Sequence, residues 1–99
     1  MKIFNCIPKQ VVIGWQTYDV DIREPDKDLP VDISSYVKPN DSLILINSTI
    51  SDDNIEFNLL GSVIEACNVR NDLHLSEGQV LKISNVLASF IVQNPGLLR

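Results

Sequence analysis

Apolar residues in the second half of the chain recur with the period of a helix. Leu59, Leu60, Val63, Ile64 and Cys67 form one stripe; after a short polar break, Val80, Ile83, Leu87, Phe90 and Ile91 form another. This spacing predicts two amphipathic helices. The first half alternates instead. Tyr18-Asp19-Val20-Asp21-Ile22 has the period-two pattern of a half-buried strand, and residues 11–13 make a shorter one. The apolar parity shifts from odd to even across Gly14-Trp15, which a tight turn or bulge explains and a continuous strand does not, so a hairpin is expected there. Residues 31–37 suit another short strand, closed by a turn at Lys38-Pro39-Asn40-Asp41. Leu43-Ile44-Leu45-Ile46 is apolar at successive positions, as in a strand covered on both faces inside a sheet.

End signals sharpen the helices. Ser51, Asp52 and Asp53 all offer N-cap oxygens, and Asp53 with Glu56 has capping-box spacing. The apolar rhythm lapses over 68–72, where Asn71 suits a left-handed C-terminal conformation. Ser76 and Gln79 form a second capping box with Leu75 and Val80 as its hydrophobic staple, and Pro95-Gly96 stops that helix. Residues 23–30 hold two prolines and five charged side chains and are expected to be a solvated, mobile loop. The order predicts an α+β fold: a small, mainly antiparallel sheet followed by two C-terminal helices, in one domain spanning residues 1–99.

Composition narrows the function classes. Ninety-nine residues suffice to bury roughly two thirds of the unfolded surface without a metal or disulfide. A net charge of -5 with eight scattered Lys and Arg residues leaves no basic stripe for phosphates, which disfavours direct nucleic-acid binding. No run reaches the roughly 18 apolar residues of a membrane helix. The start, MKIFNCI, lacks the apolar core of about 7 to 15 residues of an export signal. Cys6 and Cys67 have no CxxC spacing, so the expected setting is the cytoplasm, with reduced thiols.

Recognisable chemistry is sparse. Phosphate-binding glycine loops, nucleophile elbows and paired Cys and His ligand sets are absent. His74, the sole histidine, stands between the helices beside Asp72 and Glu77; a lone loop histidine is more often solvated than catalytic. Cys67 falls on the apolar stripe and reads as a small core residue.

Several segments, taken in order, do carry a resemblance. Ile13-Gly14-Trp15-Gln16-Thr17-Tyr18-Asp19-Val20, the strand at 43–46, the helix over 58–67, and Leu75-Ser76-Glu77-Gly78-Gln79-Val80 through Ser84-Asn85-Val86-Leu87 to Gln93-Asn94-Pro95-Gly96-Leu97 resemble the small phage-borne and bacterial metallopeptidases of the ImmA/IrrE and SprT-like zincin kind. That family runs from a short sheet into a helix bearing HExxH, then into a second helix with an acidic start, a small-residue-Asn pair and an NPxL-like tail. The resemblance covers residues 10–98 and departs at the chemistry. Where the family reads HEvLHA, this chain reads Gly61-Ser62-Val63-Ile64-Glu65-Ala66, so both histidines and the general-base glutamate are replaced. Zinc hydrolysis needs about three protein ligands, an open position for water and a base. Of the degenerate positions Gly61, Ser62 and Glu65, only Glu65 retains coordinating ability, with Glu77 near the place of the acidic third ligand; two carboxylates can hold a harder ion through water, but both are more commonly solvated helix-surface residues.

The resemblance therefore implies a degenerate zincin scaffold with no catalytic residue and no cofactor. The expected function is that of a phage-type accessory protein that binds and inhibits or redirects a host or defence protein, as an anti-CRISPR-type inhibitor does. Two rivals stand beside it: an enzyme using Glu65, His74 and Glu77 in an altered metal site, and a homo-oligomeric structural or regulatory module with the sheet edge or Trp15 at its interface. Trp15 is the candidate partner-binding residue, because a turn is a poor place to bury a large ring and Trp is enriched among residues that dominate interface energy. The opposite placement folds it back over the sheet as a lid.

Overall fold

The structure, a computed structural model, describes residues 3, 4 and 6–96. Leu97 and Leu98, where the resemblance ends, lie outside the described residues. Strands β1 (Gln10–Ile13), β2 (Gln16–Arg23) and β3 (Ser35–Lys38) are followed by a 3-10 turn (Pro39–Asp41), strand β4 (Leu43–Asn47) and helices α1 (Asp52–Arg70) and α2 (Glu77–Gln93). This is the expected α+β order. The sheet runs β1-β2-β4-β3. β1/β2 and β3/β4 pair antiparallel, whereas the central β2/β4 pair is parallel. Alternation decides which side chains share a face but carries no information about strand direction. The strand expected over 31–37 is shorter, because Ile33 N–H bonds the Pro30 carbonyl at 2.9 Å and turns the backbone off the ladder until Ser35.

One face of the sheet packs on α1. Ile13, Tyr18, Ile44 and Ile46 join Ile55, Leu59 and Ala66 in one buried cluster, with Cys67 against its border. Leu45, between Ile44 and Ile46, points to the other face and is also fully buried, as is Leu29 from the 24–34 segment. That segment is not the loose loop its prolines and charges suggest. Asp26 Oδ1 accepts the N–H groups of Asp28 and Leu29 at 2.8 and 3.0 Å, and these bonds hold its carboxyl below the ordinary aspartate range. Arg23 donates to Asp21 at 2.6 Å and to Asp26 at 3.0 Å; its hydrogen bond to Asp21 is the main reason its guanidinium is held still more firmly protonated than usual. On the sheet's second face Leu45 is buried, while Val12 and Tyr36 remain exposed.

Ser51 caps α1, its Oγ accepting the Asn54 N–H at 3.3 Å. The capping box expected at Asp53 and Glu56 is not the one that forms, since the helix starts two residues earlier. The Glu56 carboxylate instead accepts the N–H groups of Ile3 and Phe4 at 3.0 and 2.9 Å, tying the N-terminal segment to α1. At the other end Asn71 is not left-handed (φ -103); Asp72 and His74 are. The second capping box forms as expected, with Ser76 Oγ accepting Gln79 N–H and Gln79 Oε1 accepting Ser76 N–H. Ser76→Ala should therefore cost about 1 kcal/mol in a denaturant melt, and Ser89→Ala, on the exposed side of the same helix, much less.

The apolar stripe expected on α2 divides. Val80, Ser84 and Ala88 are its buried residues, while Ile83, Leu87 and Phe90 stay 37%, 38% and 49% exposed. Ile91 and Val92 are partly buried against the Leu60 and Ala88 cluster, while Ile83, Leu87 and Phe90 face outward. Among the described residues no helix is long and apolar enough to cross a membrane.

Candidate functional site

β3, α1 and α2 enclose a cleft of about 440 Å³. Gly61, Ser62 and Glu65 of α1 line it, together with Glu77 from the first turn of α2. Four positions singled out for residual chemistry are thus brought together. His74 is not: it is exposed in the turn between the helices, with Nε2 3.4 Å from Asp72 Oδ1, and takes no part in the cleft lining. Among the described residues, no three His, Cys, Asp or Glu side chains lie close enough together to hold a metal ion. No histidine or cysteine lines the cleft, so its hydroxyls face no imidazole that would activate them.

Two of the groups that line the cleft, Ser84 and Glu65, already have structural partners. Ser84 Oγ donates to the Val80 carbonyl at 2.8 Å. Glu65 Oε1 accepts from Asn68 Nδ2 at 3.3 Å, and the same amide bonds Leu75 both ways, donating to its carbonyl at 3.0 Å and accepting its N–H at 2.9 Å. Asn68, 7% exposed, therefore fixes the turn that sets α2 against α1. Its role was hidden in the sequence because an Asn near a helix end is also an ordinary termination signal. Gly61 serves the same packing: a Cβ there would lie 3.4 Å from Ser84 Oγ. A histidine at this position would thrust its ring toward α2. Gly61→Ala makes the contact without overlap and gains helix propensity, so a melt should show stability unchanged or raised by up to about 1 kcal/mol.

The second candidate is the β1/β2 tip. Ile13 pairs with Gln16, leaving Gly14 and Trp15 as a two-residue loop with φ of 51 and 71. Positive φ at both positions is the type I′ turn, whose backbone twist matches that of the strands it joins. Glycine takes this conformation freely; a bulky residue takes it at a cost of about 1–3 kcal/mol. Trp15 is nonetheless there, and it is 102% exposed. It does not fold back as a lid. Three residues on, Tyr18 is 0% exposed. Its hydroxyl accepts from Arg70 Nε at 3.1 Å, and the Arg70 guanidinium lies 5.7 Å from its ring centre, joining β2 to the end of α1. The exposed ring thus stands at the end of a hairpin whose base is fixed in the core.

Compared with protein-family models, with curated proteins and with solved structures, the chain matches none.

Proposed function

We propose that this chain is a non-catalytic binding protein whose hairpin tip inserts Trp15 into an apolar pocket of a partner protein. The observation that carries the reading is the placement of Trp15, a large ring left wholly in water and in a left-handed conformation that glycine or asparagine would occupy at lower cost. A residue that costs stability twice is explained when it is used in contact. The acidic balance of the chain favours a pocket bordered by basic side chains. The zincin-like resemblance, without its ligands, extends the proposal to a phage-type protein of the cytoplasm that inhibits or redirects a host or defence protein.

The test is affinity capture from the native host with two baits, the wild-type chain and Trp15→Ala. A protein held by the first and lost by the second supports the reading, and equal recovery on both baits refutes it. A second check concerns the absence of catalysis at the cleft. Because Gly61 and Glu65 stand where the resemblance would put the pair of i, i+4 histidines that face one ion, thermal midpoints with and without a chelator should coincide. A chelator-induced drop would instead reinstate the altered metal site.

A further inference from the structure

Helix α2 carries two apolar stripes, only one of which the fold uses. Val80, Ser84 and Ala88 are buried, and next to them Ile83, Val86, Leu87 and Phe90 lie on the outward side, 37%, 68%, 38% and 49% exposed. The outward residues fall at i, i+3, i+4 and i+7, the spacing of a helix-packing seam. A helix apolar on most of its circumference belongs in an interior, so this face calls for a cover.

We infer that the cover is α2 of a second copy of this chain, packed antiparallel about a two-fold axis. The spacing is self-complementary under that operation. With the axis between Val86 and Leu87, Ile83 meets Phe90 of the second copy and Val86 meets its Leu87, so each contact occurs twice, as an isologous interface requires. Charge favours the same occupant. All 13 acidic side chains lie at or before position 77, and residues 83–96 carry no charge. Two copies of net charge -5 repel elsewhere but meet without penalty at α2. A basic partner would find no acidic group along this stripe. The antiparallel sense places Glu77 and Lys82 away from their own counterparts, whereas a parallel pair would set each beside its twin. The surface belongs to a different element from the Trp15 hairpin, so dimerisation and partner binding fail independently.

Sedimentation velocity of the full chain tests this. At about 100 μM the wild type should run at twice the monomer mass, and association should weaken at least about tenfold in Val86→Glu, which sets like charges beside the axis, and in Phe90→Glu, which sets an unpaired carboxylate against Ile83 of the second copy. Circular dichroism melts establish that each variant is folded. Ile83→Lys combined with Phe90→Glu in one chain should restore the dimer, because only the antiparallel register sets lysine against glutamate. An equal mixture of Val86→Glu and Val86→Lys chains should likewise associate where each alone does not. A wild type that stays monomeric at this concentration overturns the inference, as does a dimer indifferent to Val86→Glu. A folded double variant that stays monomeric while Phe90→Glu also does would overturn the antiparallel register.

Discussion

Tyr18→Ala should lower the unfolding free energy by about 3–5 kcal/mol, the largest stability loss expected from any single change considered. The ring is fully buried between the sheet and α1, in the cluster with Ile13, Ile44 and Leu59. Its removal deletes both apolar burial and the contacts around the resulting cavity. It also strips Arg70 of the hydroxyl it bonds and the ring it covers. Tyr18→Phe separates these effects: the ring stays, only the bond to an exposed arginine is lost, and the cost should fall to about 1 kcal/mol or less. With total stability on the order of 5–15 kcal/mol, the alanine variant should show a clearly lower denaturant midpoint and the phenylalanine variant one near wild type.

Where the sequence was legible, a local rule and the tertiary contacts pointed the same way. The Ser76 and Gln79 capping box, the turn at Gly14-Trp15 and the buried strand at 43–46 depend on neighbours within a few residues, and each is found in place. The face of α2 was not legible. Val80, Ser84, Ala88 and Ile83, Val86, Leu87, Phe90 both satisfy a helical period, and hydrophobicity favours the second set. What decides between them is the small-residue approach of Ser84 to Gly61, a contact across the two helices that no single-helix pattern encodes. The cap at Ser51 rather than Asp53 was ambiguous because three consecutive residues all had suitable oxygens. Leu29 was hidden among prolines and charges whose hydrogen bonds fold the segment onto the sheet. Of the candidate site, the exposure of Trp15 follows the sequence reading; that Gly61, Ser62, Glu65 and Glu77 line one cleft, and that His74 lies outside it, came from the tertiary structure.

Trp15→Ala should give the opposite profile to Tyr18→Ala. Partner affinity should fall by roughly 2 kcal/mol or more, about thirtyfold, because a buried aromatic anchor commonly dominates an interface. Stability should hardly move, since the free ring is wholly in water. Trp15→Asn goes further: asparagine accepts the left-handed conformation, so this variant should be as stable as the wild type or up to about 1 kcal/mol more so, and yet fail to bind. Stability gained as binding is lost is the signature of a residue kept for contact. Equilibrium melts measured beside titration of the captured partner check both halves.

The most direct measurement uses the fact that Trp15 is the sole tryptophan. Labelled with 5-fluorotryptophan, the chain gives one fluorine resonance, which reports on the hairpin tip alone even when the partner contains tryptophan of its own. In the free protein it should lie near the position of the amino acid in water and move on exchange of H2O for D2O. On saturation with the partner recovered by the wild-type bait, the resonance should shift and lose that solvent sensitivity as the ring enters its pocket. A resonance that keeps both its position and its solvent sensitivity in the complex would contradict the account.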